Sequence, residues 1–399
     1  MDDPQILVVG GGPAGMMAGY LFARAGVRTL VLEKHGDFLR DFRGDTVHPS
    51  TLDLFDELGL YDRFLERPHD KVEQLSASVG GESFAVADFK HLPGRAKFIA
   101  LMPQWEFLDF LAGEARKLPA FSLRMECEAT GLIEEGGKVR GVTLKDGGSI
   151  RAGLVIAADG RGSVLRKASG LPLRDLGVPI DVFWFRVPKE RNAVNNDTGG
   201  FIDKGEMIAA LDRGDYWQCA RVIGKGEADA IRARGLERFR ADVAAAAPVV
   251  RDHIDAVRSW DDVNLLSVSL DRLERWHRPG LLAIGDAAHA MSPAGGVGIN
   301  LAIQDAVAAA NILAGPLAEG RDVEPLLAKV QARREFPVKV IQAAQRNVHR
   351  RLIGPARATA NPKPPALFRA AIRLGLTRRL IARFVGLGVR REHIRSPKA

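Results

Sequence analysis

The first apolar segments of the chain predict a β–α–β unit. Ile6–Val9 is a short, uniformly apolar run of the kind that forms a buried parallel strand, and Thr29–Leu32 repeats it. The residues between them fit a helix from about Pro13 to Ala25, because proline is well tolerated in the first helical turn. We expect the two strands to lie side by side with the helix packed across them.

Shorter segments with strand-like patterns fill two later stretches. Residues 72–79 and 82–88 predict a hairpin that turns at Gly80–Gly81. Residues 178–270 predict several strands and a helical interlude at Ala228–Ala246. The strands expected in the second stretch are 181–187, 200–202, 207–211, 216–223 and 265–270. A further strand is expected over residues 124–133, and a helix over 105–118.

A glycine-rich turn follows the first strand. Gly10, Gly12 and Gly15 fit the G-x-G-x-x-G pattern of a strand–turn–helix unit that holds a pyrophosphate at the helix N-terminus. Glu33 closes the second strand, where an acidic residue accepts hydrogen bonds from ribose hydroxyls. A carboxylate repels a 2′-phosphate, so this site favours FAD or NAD over NADP.

Two more segments of the same type occur later in the chain. The apolar run from Leu154 ends at Asp159-Gly160, and a helix is expected to start near Ser163. The run after Gly280 ends at Gly285-Asp286 and leads into a glycine-rich loop and a long helix that opens near Asn300. A helix N-terminus under such a loop stabilises negative charge on a ligand.

The three segments together resemble the group A FAD-dependent aromatic monooxygenases, which have the para-hydroxybenzoate hydroxylase fold. The family's D-G-x-x-S-x-x-R motif is matched by Asp159, Gly160, Ser163 and Arg166, although the charged residue common before the serine is replaced by Gly162. The resemblance covers residues 5 to about 345. The family's third motif is matched by Gly285, Asp286, His289, Pro293, Gly296, Gly298 and Asn300.

The resemblance implies FAD contacts along the whole cofactor. Asp286 is implied to bind the ribityl chain, residues 296–300 the isoalloxazine, and Asp159 to support the fold near the pyrophosphate. Arg43 and Gln104 stand where such enzymes place residues on the flavin, and His289 is expected to be a packed histidine rather than a base. No metal site is expected. The predicted cofactor residues are Gly10, Gly12, Pro13, Ala14, Gly15, Glu33, Lys34, Arg43, Gln104, Asp159, Gly285, Asp286, Pro293, Gly296, Gly298, Ile299 and Asn300.

The expected fold class is α/β, with a Rossmann-like FAD-binding domain, an inserted and mainly antiparallel β-sheet substrate domain, and C-terminal helices. The FAD-binding domain is predicted to comprise residues 1–71, 101–177 and 271–345. The substrate domain is predicted to comprise residues 72–100 and 178–270. Residues 346–399 are predicted to form basic amphipathic helices.

The implied reaction is the hydroxylation of a phenol-like aromatic compound. NADH or NADPH would reduce FAD, and a flavin C4a-hydroperoxide would transfer oxygen, so no catalytic side chain is assigned and Pro293 is placed near the ring. One polar contact to the phenol is expected from Arg221, Tyr216 or His48, an open choice. The residues predicted to line the substrate pocket are Phe183, Phe185, Phe201, Met207, Trp217 and Arg221.

Rival functions remain open on the same fold. A prenyl or alkene reductase would use FAD without oxygen transfer, and a flavin-dependent halogenase would carry W-x-W-x-I-P, of which residues 183–188 keep one tryptophan. A redox-sensitive flavoprotein that acts as a binding partner is an alternative of another class. The chain is also similar in length and organisation to ubiquinone-ring hydroxylases, which act on lipophilic phenols.

Charge is concentrated in the C-terminal segment. The chain has a net charge of +8, and from Arg346 onward 14 basic residues face a single acid, Glu392. Apolar residues recur at helical spacing between these arginines, so residues 366–390 either dock on the enzyme or contact an anionic membrane surface. A nucleic-acid partner is not expected, because no reader fold accompanies the charge.

The remaining composition predicts a cytoplasmic enzyme. If residues 366–390 contact a membrane, the enzyme is expected to be peripheral at the cytoplasmic membrane face. Cys127 and Cys219 lie far apart without metal or redox spacing, which favours a reducing compartment. We expect no signal peptide, and no apolar run approaches the ~18–20 residues of a membrane span. Oligomeric state stays open.

Overall fold

The computed structural model describes residues 3–39, 46–190, 198–350, 366–373 and 375–399. The strands, in chain order, are β1 Ile6–Val9, β2 Thr29–Leu32, β3 Thr46–Val47, β4 Asp70–Val72, β5 Gln74–Val79, β6 Glu82–Asp88, β7 Ile99–Leu101, β8 Phe121–Arg124, β9 Ala129–Glu135, β10 Lys138–Leu144, β11 Ser149–Arg151, β12 Leu154–Ala157, β13 Leu173–Asp175, β14 Ile180–Pro188, β15 Gly199–Asp203, β16 Glu206–Asp212, β17 Tyr216–Gly224, β18 Asn264–Leu266, β19 Asp271–Leu273, β20 His277–Arg278, β21 Leu281–Ala283 and β22 His289–Ala290. The α-helices are α1 Pro13–Arg24, α2 Pro49–Glu57, α3 Tyr61–Leu65, α4 Gln104–Ala115, α5 Val164–Ser169, α6 Ala228–Ala233, α7 Leu236–Ala246, α8 Gly298–Ala318, α9 Leu327–Val348, α10 Ala366–Arg373 and α11 Gly375–Leu387.

A six-stranded sheet in the order β20-β21-β12-β1-β2-β8 forms the first layer. Strands β1, β2, β8, β12 and β21 are parallel, and all residues of β1, β2 and β12 are buried, as their uninterrupted apolar sequences require. The carboxyl ends of parallel strands meet at one edge of the sheet. The glycine segments that follow β1, β12 and β21 are therefore brought together at that edge, as expected from their order.

A seven-stranded sheet in the order β18-β14-β17-β16-β15-β5-β6 forms a separate layer. Its pairs are antiparallel except β15 with β5, so the early hairpin and the later strands share one sheet. Gly80 and Gly81 have positive φ angles of 56° and 82°, which the hairpin turn requires and glycine tolerates. One face of this sheet is covered by helices α6 and α7.

Several predicted elements are divided differently in the structure. The strand expected over residues 124–133 is two strands, because the chain turns at Glu126, which has a φ angle of 52°. Strand β8 joins the six-stranded sheet, whereas β9 pairs with β10 and β11. The strand expected over 265–270 ends at Leu266, and the helical interlude is two helices separated at Gly235, which has a φ angle of 90°.

The described part of the C-terminal segment packs on the enzyme. Ala382 and Leu387 of α11 are buried against Phe89 and Leu92 beside β6. Further along, Ala399 donates its backbone N–H to the Arg24 carbonyl at 2.9 Å. The same helix carries three exposed apolar side chains, Leu376, Leu380 and Phe384.

Helix α8 runs through the core of the first layer. Among the described residues, α8 is the one helix that is long and apolar enough to cross a membrane, judged by length and composition alone. An apolar segment of that length was not expected from the sequence. In the structure, 67% of its most apolar window is buried inside the protein, as in a core helix. Helix α8 begins at the end of the glycine-rich loop of residues 292–298, and its first turns pack against the Gly285 turn.

Candidate active site

The glycine loop after β1 has the shape of a pyrophosphate cradle. A Cβ atom at Gly10 would lie 2.4 Å from the Ala158 carbonyl oxygen, and one at Gly15 would lie 1.9 Å from the Gly10 carbonyl oxygen, so both positions need glycine for close packing. A Cβ atom at Gly12 would meet nothing within 4 Å. That open space lies at the N-terminus of α1, where unpaired N–H groups favour an anion.

Glu33 lies beside this cradle. Its Oε2 accepts a hydrogen bond from the Gly11 N–H at 2.9 Å, and its Oε1 lies 2.6 Å from Nδ1 of His35. The carboxylate thus fixes the glycine loop, and it stands where an acidic residue accepts from ribose hydroxyls in strand–turn–helix units of this kind. Lys34, the next residue, is exposed.

Asp159 anchors the second segment. Its Oδ1 accepts from the Ser163 hydroxyl at 2.5 Å and its Oδ2 from the Leu165 N–H at 3.2 Å, and burial raises the pKa of this carboxyl. Ser163 in turn caps α5 by accepting from the Arg166 N–H at 2.9 Å. The motif residues therefore hold the loop in shape, which is the supporting role implied for Asp159.

Arg161 is a site residue that the sequence reasoning missed. Its Nε donates to Asp286 Oδ2 at 3.0 Å, and its Nη2 donates to the Met291 carbonyl at 3.4 Å. The side chain therefore joins the second glycine segment to the third. The available signal was an arginine between two glycines of a ligand-binding loop.

A fully buried network supports the Gly285 turn. Asp305 Oδ2 accepts from the Gly285 N–H at 3.1 Å and lies 2.6 Å from His289 Nε2, while Asp305 Oδ1 accepts from Arg334 Nε at 3.0 Å. His289 is only 1% exposed, so the prediction of a packed, hydrogen-bonded histidine is confirmed. Arg334 Nη1 reaches Glu392 at 3.4 Å, which ties the turn to the C-terminal segment.

Helix α9 clamps the loop that carries Pro293. Gln345 accepts from the Ser292 N–H at 3.1 Å and donates to the Ser292 and Ala294 carbonyls at 2.9 and 3.0 Å. His349 Nε2 lies 2.9 Å from the Ser292 hydroxyl, and burial lowers the pKa of this histidine. Pro293 itself is partly exposed between these contacts. Neither Gln345 nor His349 carries a motif that could have identified it.

Asn300 braces the start of α8. Its Oδ1 accepts from the His48 N–H at 3.0 Å and the Thr51 hydroxyl at 2.8 Å, and its Nδ2 donates to the Gly296 carbonyl at 3.3 Å. The Asn300 side chain is therefore used in hydrogen bonds within the protein. Residues 296–299 are partly exposed, and their backbone is the part of the loop that could contact a flavin ring. Pro13 and Ala14 begin α1, Gly298 and Ile299 begin α8, and Gln104 begins α4, partly exposed. Arg43 lies outside the described residues.

The predicted substrate lining requires a correction. Phe183, Phe185, Trp217 and Arg221 are at most 2% exposed and pack, with the partly buried Phe201, on the sheet face covered by α6 and α7. Arg221 is paired with Glu206 and Asp242 rather than free for a phenol. Successive strand residues point to opposite faces, so these positions share the covered face. Nor do the other two proposed phenol contacts stand out: His48 is buried under α11, and Tyr216 stacks beneath Arg186.

Met207 lies on the other, partly open face. Met207, Trp184 and Val348 at the end of α9 all pack against the same small cluster, which includes Val182 and Val222. The next residue, His349, contacts Ser292 in the Pro293 loop. The open face of the sheet therefore meets the loop at the start of α8, and the space between them is the candidate substrate site.

The cradle at Gly12, the Glu33 carboxylate beside it and the glycine-rich loop before α8 form an arrangement that suits a dinucleotide cofactor. A family profile for the FAD binding domain matches residues 3–344, and the chain belongs to this family. The chain is 33% identical over 369 residues to 6-methylpretetramide 4-monooxygenase of Streptomyces rimosus, which covers 91% of this chain and 87% of the relative.

Other proteins similar to this chain are also hydroxylases or monooxygenases. Ubiquinone hydroxylase UbiL of Rhodospirillum rubrum is 25% identical over 358 residues, covering 83% of this chain and 77% of the relative. The crystal structure of p-nitrophenol 4-monooxygenase from Pseudomonas putida superposes with a TM-score of 0.78 at 22% identity, covering 98% of this chain and 99% of that one, and shows the shared fold. The chain is therefore a FAD-dependent monooxygenase of the aromatic hydroxylase family.

Proposed function

We propose that the protein uses NADH or NADPH and O2 to hydroxylate a phenol-like aromatic substrate bound between the seven-stranded sheet and the Pro293 loop. The observation that carries this proposal is the open, largely apolar sheet face around Met207, which meets that loop through Val348 and His349. When bound, FAD supplies the redox and oxygen-transfer chemistry. The chain's own contribution is to hold the Pro293 loop through Gln345 and the Gly285 turn through Asp305, and to exclude water from an apolar site.

A panel of phenols and anilines incubated with the FAD-loaded enzyme tests this function. A substrate should stimulate NAD(P)H oxidation, and the O2 consumed should equal the hydroxylated product formed. Reduction of a prenyl alkene without O2 would favour the reductase alternative. Halide-dependent product formation would favour a halogenase. Absence of turnover across the panel, with binding of a macromolecular partner that depends on flavin redox state, would favour the binding-partner alternative.

We further propose that α11 brings the enzyme to an anionic membrane surface from the cytoplasm. Leu376, Leu380 and Phe384 follow one another at four-residue spacing on the helix and are 68%, 58% and 36% exposed. The exposed Arg379 and Arg383 flank them. Apolar side chains beside arginines suit the interface of a membrane with acidic headgroups, where each basic residue contributes ~1 kcal/mol.

Sedimentation with liposomes tests this contact. The protein should pellet with phosphatidylserine-containing vesicles and remain in the supernatant with phosphatidylcholine vesicles. The double substitution Leu376→Ser/Leu380→Ser should abolish pelleting. Leu173→Ser/Leu265→Ser replaces two leucines that are 45% and 41% exposed elsewhere and should leave it unchanged. Equal recovery of both double variants with the vesicles would contradict the proposal.

A further inference from the structure

The open face of the seven-stranded sheet carries a transverse row of small residues. Backbone register places Ala220 of β17 opposite Ala209 of β16, Ala209 opposite Gly200 of β15, and Gly200 opposite Ala77 of β5. Four neighbouring strands thus present at most a methyl group at the same level of the sheet. At the usual strand spacing, the run from Ala220 to Ala77 is about 14 Å long.

Large side chains enclose this row at both ends. Trp184 lies opposite Ala220 on β14, and Phe84 lies opposite Ala77 on β6. Phe84 also borders the same cavity as Ile372 of α10, so the C-terminal helices stand beside that end of the row. The row is therefore closed at each end by an aromatic ring.

Larger side chains also border the row along its length. Two residues along each strand from the row, on the same face of the sheet, lie Val222, Met207, Ile202 and Val79. On the other side lie Leu211 and Leu75, which pack against the cluster under α11, and the buried polar residue Gln218 opposite Leu211. We call the small-residue row with these borders the trough.

Among the described residues, none fills the floor of the trough from Ala77 to Ala209, whereas Ala220 at one end is buried. A Cβ atom at Gly200 would meet nothing within 4 Å, and Ala77, Gly200 and Ala209 are all partly exposed. This contrasts with the covered face one residue away, where Ile208 and Ala210 are completely buried under α7. Well-packed sheets place bulky residues on a buried face, so an open floor of alanine and glycine is a feature of a binding surface.

We propose that the trough selects an elongated, flat, linearly fused polycyclic phenol over a single-ring phenol. A single aromatic ring fills a small part of a run of this length, whereas a linear fused-ring system matches both the length and the one-residue depth of the floor. The largely apolar borders match the edges of such a ring system. This inference rests on the proposed hydroxylation, since it names the substrate shape for the same site. Gly200 and Ala209 are the residues that determine this specificity.

Equilibrium binding to the FAD-loaded enzyme tests the trough. The probes are alizarin, a linear three-ring system that contains a catechol unit, and catechol itself, both measured by calorimetry. Wild type should bind alizarin at least about tenfold more tightly than catechol, a difference of ~1.4 kcal/mol. Gly200→Val and Ala209→Leu raise the floor and should weaken alizarin binding at least about tenfold while changing catechol binding less than about threefold.

Ser83→Val is the matched control, because Ser83 is exposed on β6 with its side chain on the opposite face from Phe84. It should change neither affinity, and circular dichroism should show that all three variants fold. Equal alizarin affinity in wild type and Gly200→Val would overturn the trough, as would catechol binding that weakens as much as alizarin binding in both floor variants. If alizarin binding depends on Gly200 but no oxygen is transferred to any fused-ring phenol, the trough stands and the proposed hydroxylation fails.

Discussion

His289 Nε2 and Asp305 Oδ2 lie 2.6 Å apart in the completely buried network behind the Gly285 turn. Burial by itself opposes ionisation of Asp305, but the pairing with His289 and Arg334 outweighs it and holds the pKa of this carboxyl below its ordinary value. The same carboxylate accepts from the Gly285 N–H. The position of the third FAD-binding turn is thus coupled to a buried ion pair.

Asp305→Asn should destabilise the protein by about 3–5 kcal/mol, because it removes the shorter ion pair of the buried Arg334 and leaves only the 3.4 Å contact with Glu392. Since the pKa of Asp305 is lowered by folding, its contribution is present above the ordinary value of 3.8 and is lost as the pH falls below it. Urea unfolding at pH 7 and pH 3 measures both effects. Asp229→Asn, at a 97% exposed side chain, is the control and should behave as wild type. A shift of similar size in both variants would contradict the role of the network.

Protonation of His48 should cause a second pH-dependent loss of stability, at higher pH than the loss caused by Asp305. Its Nδ1 lies 2.7 Å from the Val385 carbonyl of α11, and burial lowers the pKa of this histidine from 6.5 to about 4. Because the folded state resists the proton, the stability contributed by neutral His48 is complete above pH 6.5 and falls as the pH drops toward 4. The loss between pH 7 and pH 5 should be about 2 kcal/mol.

The variant His48→Asn keeps a side-chain N–H that can reach Val385 but does not titrate in this range. Its free energy of unfolding should therefore fall by about 2 kcal/mol less than that of wild type between pH 7 and pH 5. Chemical denaturation at the two pH values measures the difference. Parallel pH profiles for wild type and His48→Asn would show that the histidine is not held neutral.

The two ends of the glycine loop should respond differently to substitution. Gly12→Val places a side chain in open space with an ordinary φ of −74°, so the FAD-free protein should keep its Tm while FAD affinity falls at least about tenfold. Gly15→Val puts a Cβ atom 1.9 Å from the Gly10 carbonyl oxygen and should prevent stable folding. Differential scanning calorimetry and the ratio of flavin to protein absorbance separate the two outcomes. Loss of folding in Gly12→Val would contradict the cradle.

The two faces of the substrate sheet can be separated by kinetics. Arg221→Ala breaks its pairs with Glu206 and Asp242 under α7 and should cost about 2 kcal/mol or more of stability without changing the substrate KM. Met207→Ala, on the open face, should change KM with a smaller loss of stability. Steady-state kinetics and thermal unfolding of both variants provide the comparison. A large KM change confined to Arg221→Ala would place the substrate on the covered face instead.

The three glycine segments and their meeting at one sheet edge could be predicted from the sequence, because each segment is encoded locally. An apolar strand, a glycine turn and a helix start within a dozen residues define Gly10–Gly15, and the structure brings this loop to the sheet edge shared with Asp159 and Asp286. The position of each segment directly after a parallel strand predicts that the three meet, because the carboxyl ends of parallel strands lie at one edge of the sheet.

The substrate face could not be predicted in the same way. Alternation along β14 separates Phe183 from Trp184, but both faces of this sheet are apolar, and which one α7 covers depends on contacts far apart in the chain. The clamp by Gln345 and the link through Arg161 were missed for the same reason. Each joins segments that only tertiary packing brings together.

Turnover of an aromatic substrate under isotopically labelled O2 tests the central claim most directly. The account predicts that FAD-loaded enzyme supplied with NADH or NADPH forms a hydroxylated aromatic product carrying one labelled oxygen atom, with one NAD(P)H oxidised for each product molecule. Product that forms without incorporating label, or that forms equally well without O2, would contradict it.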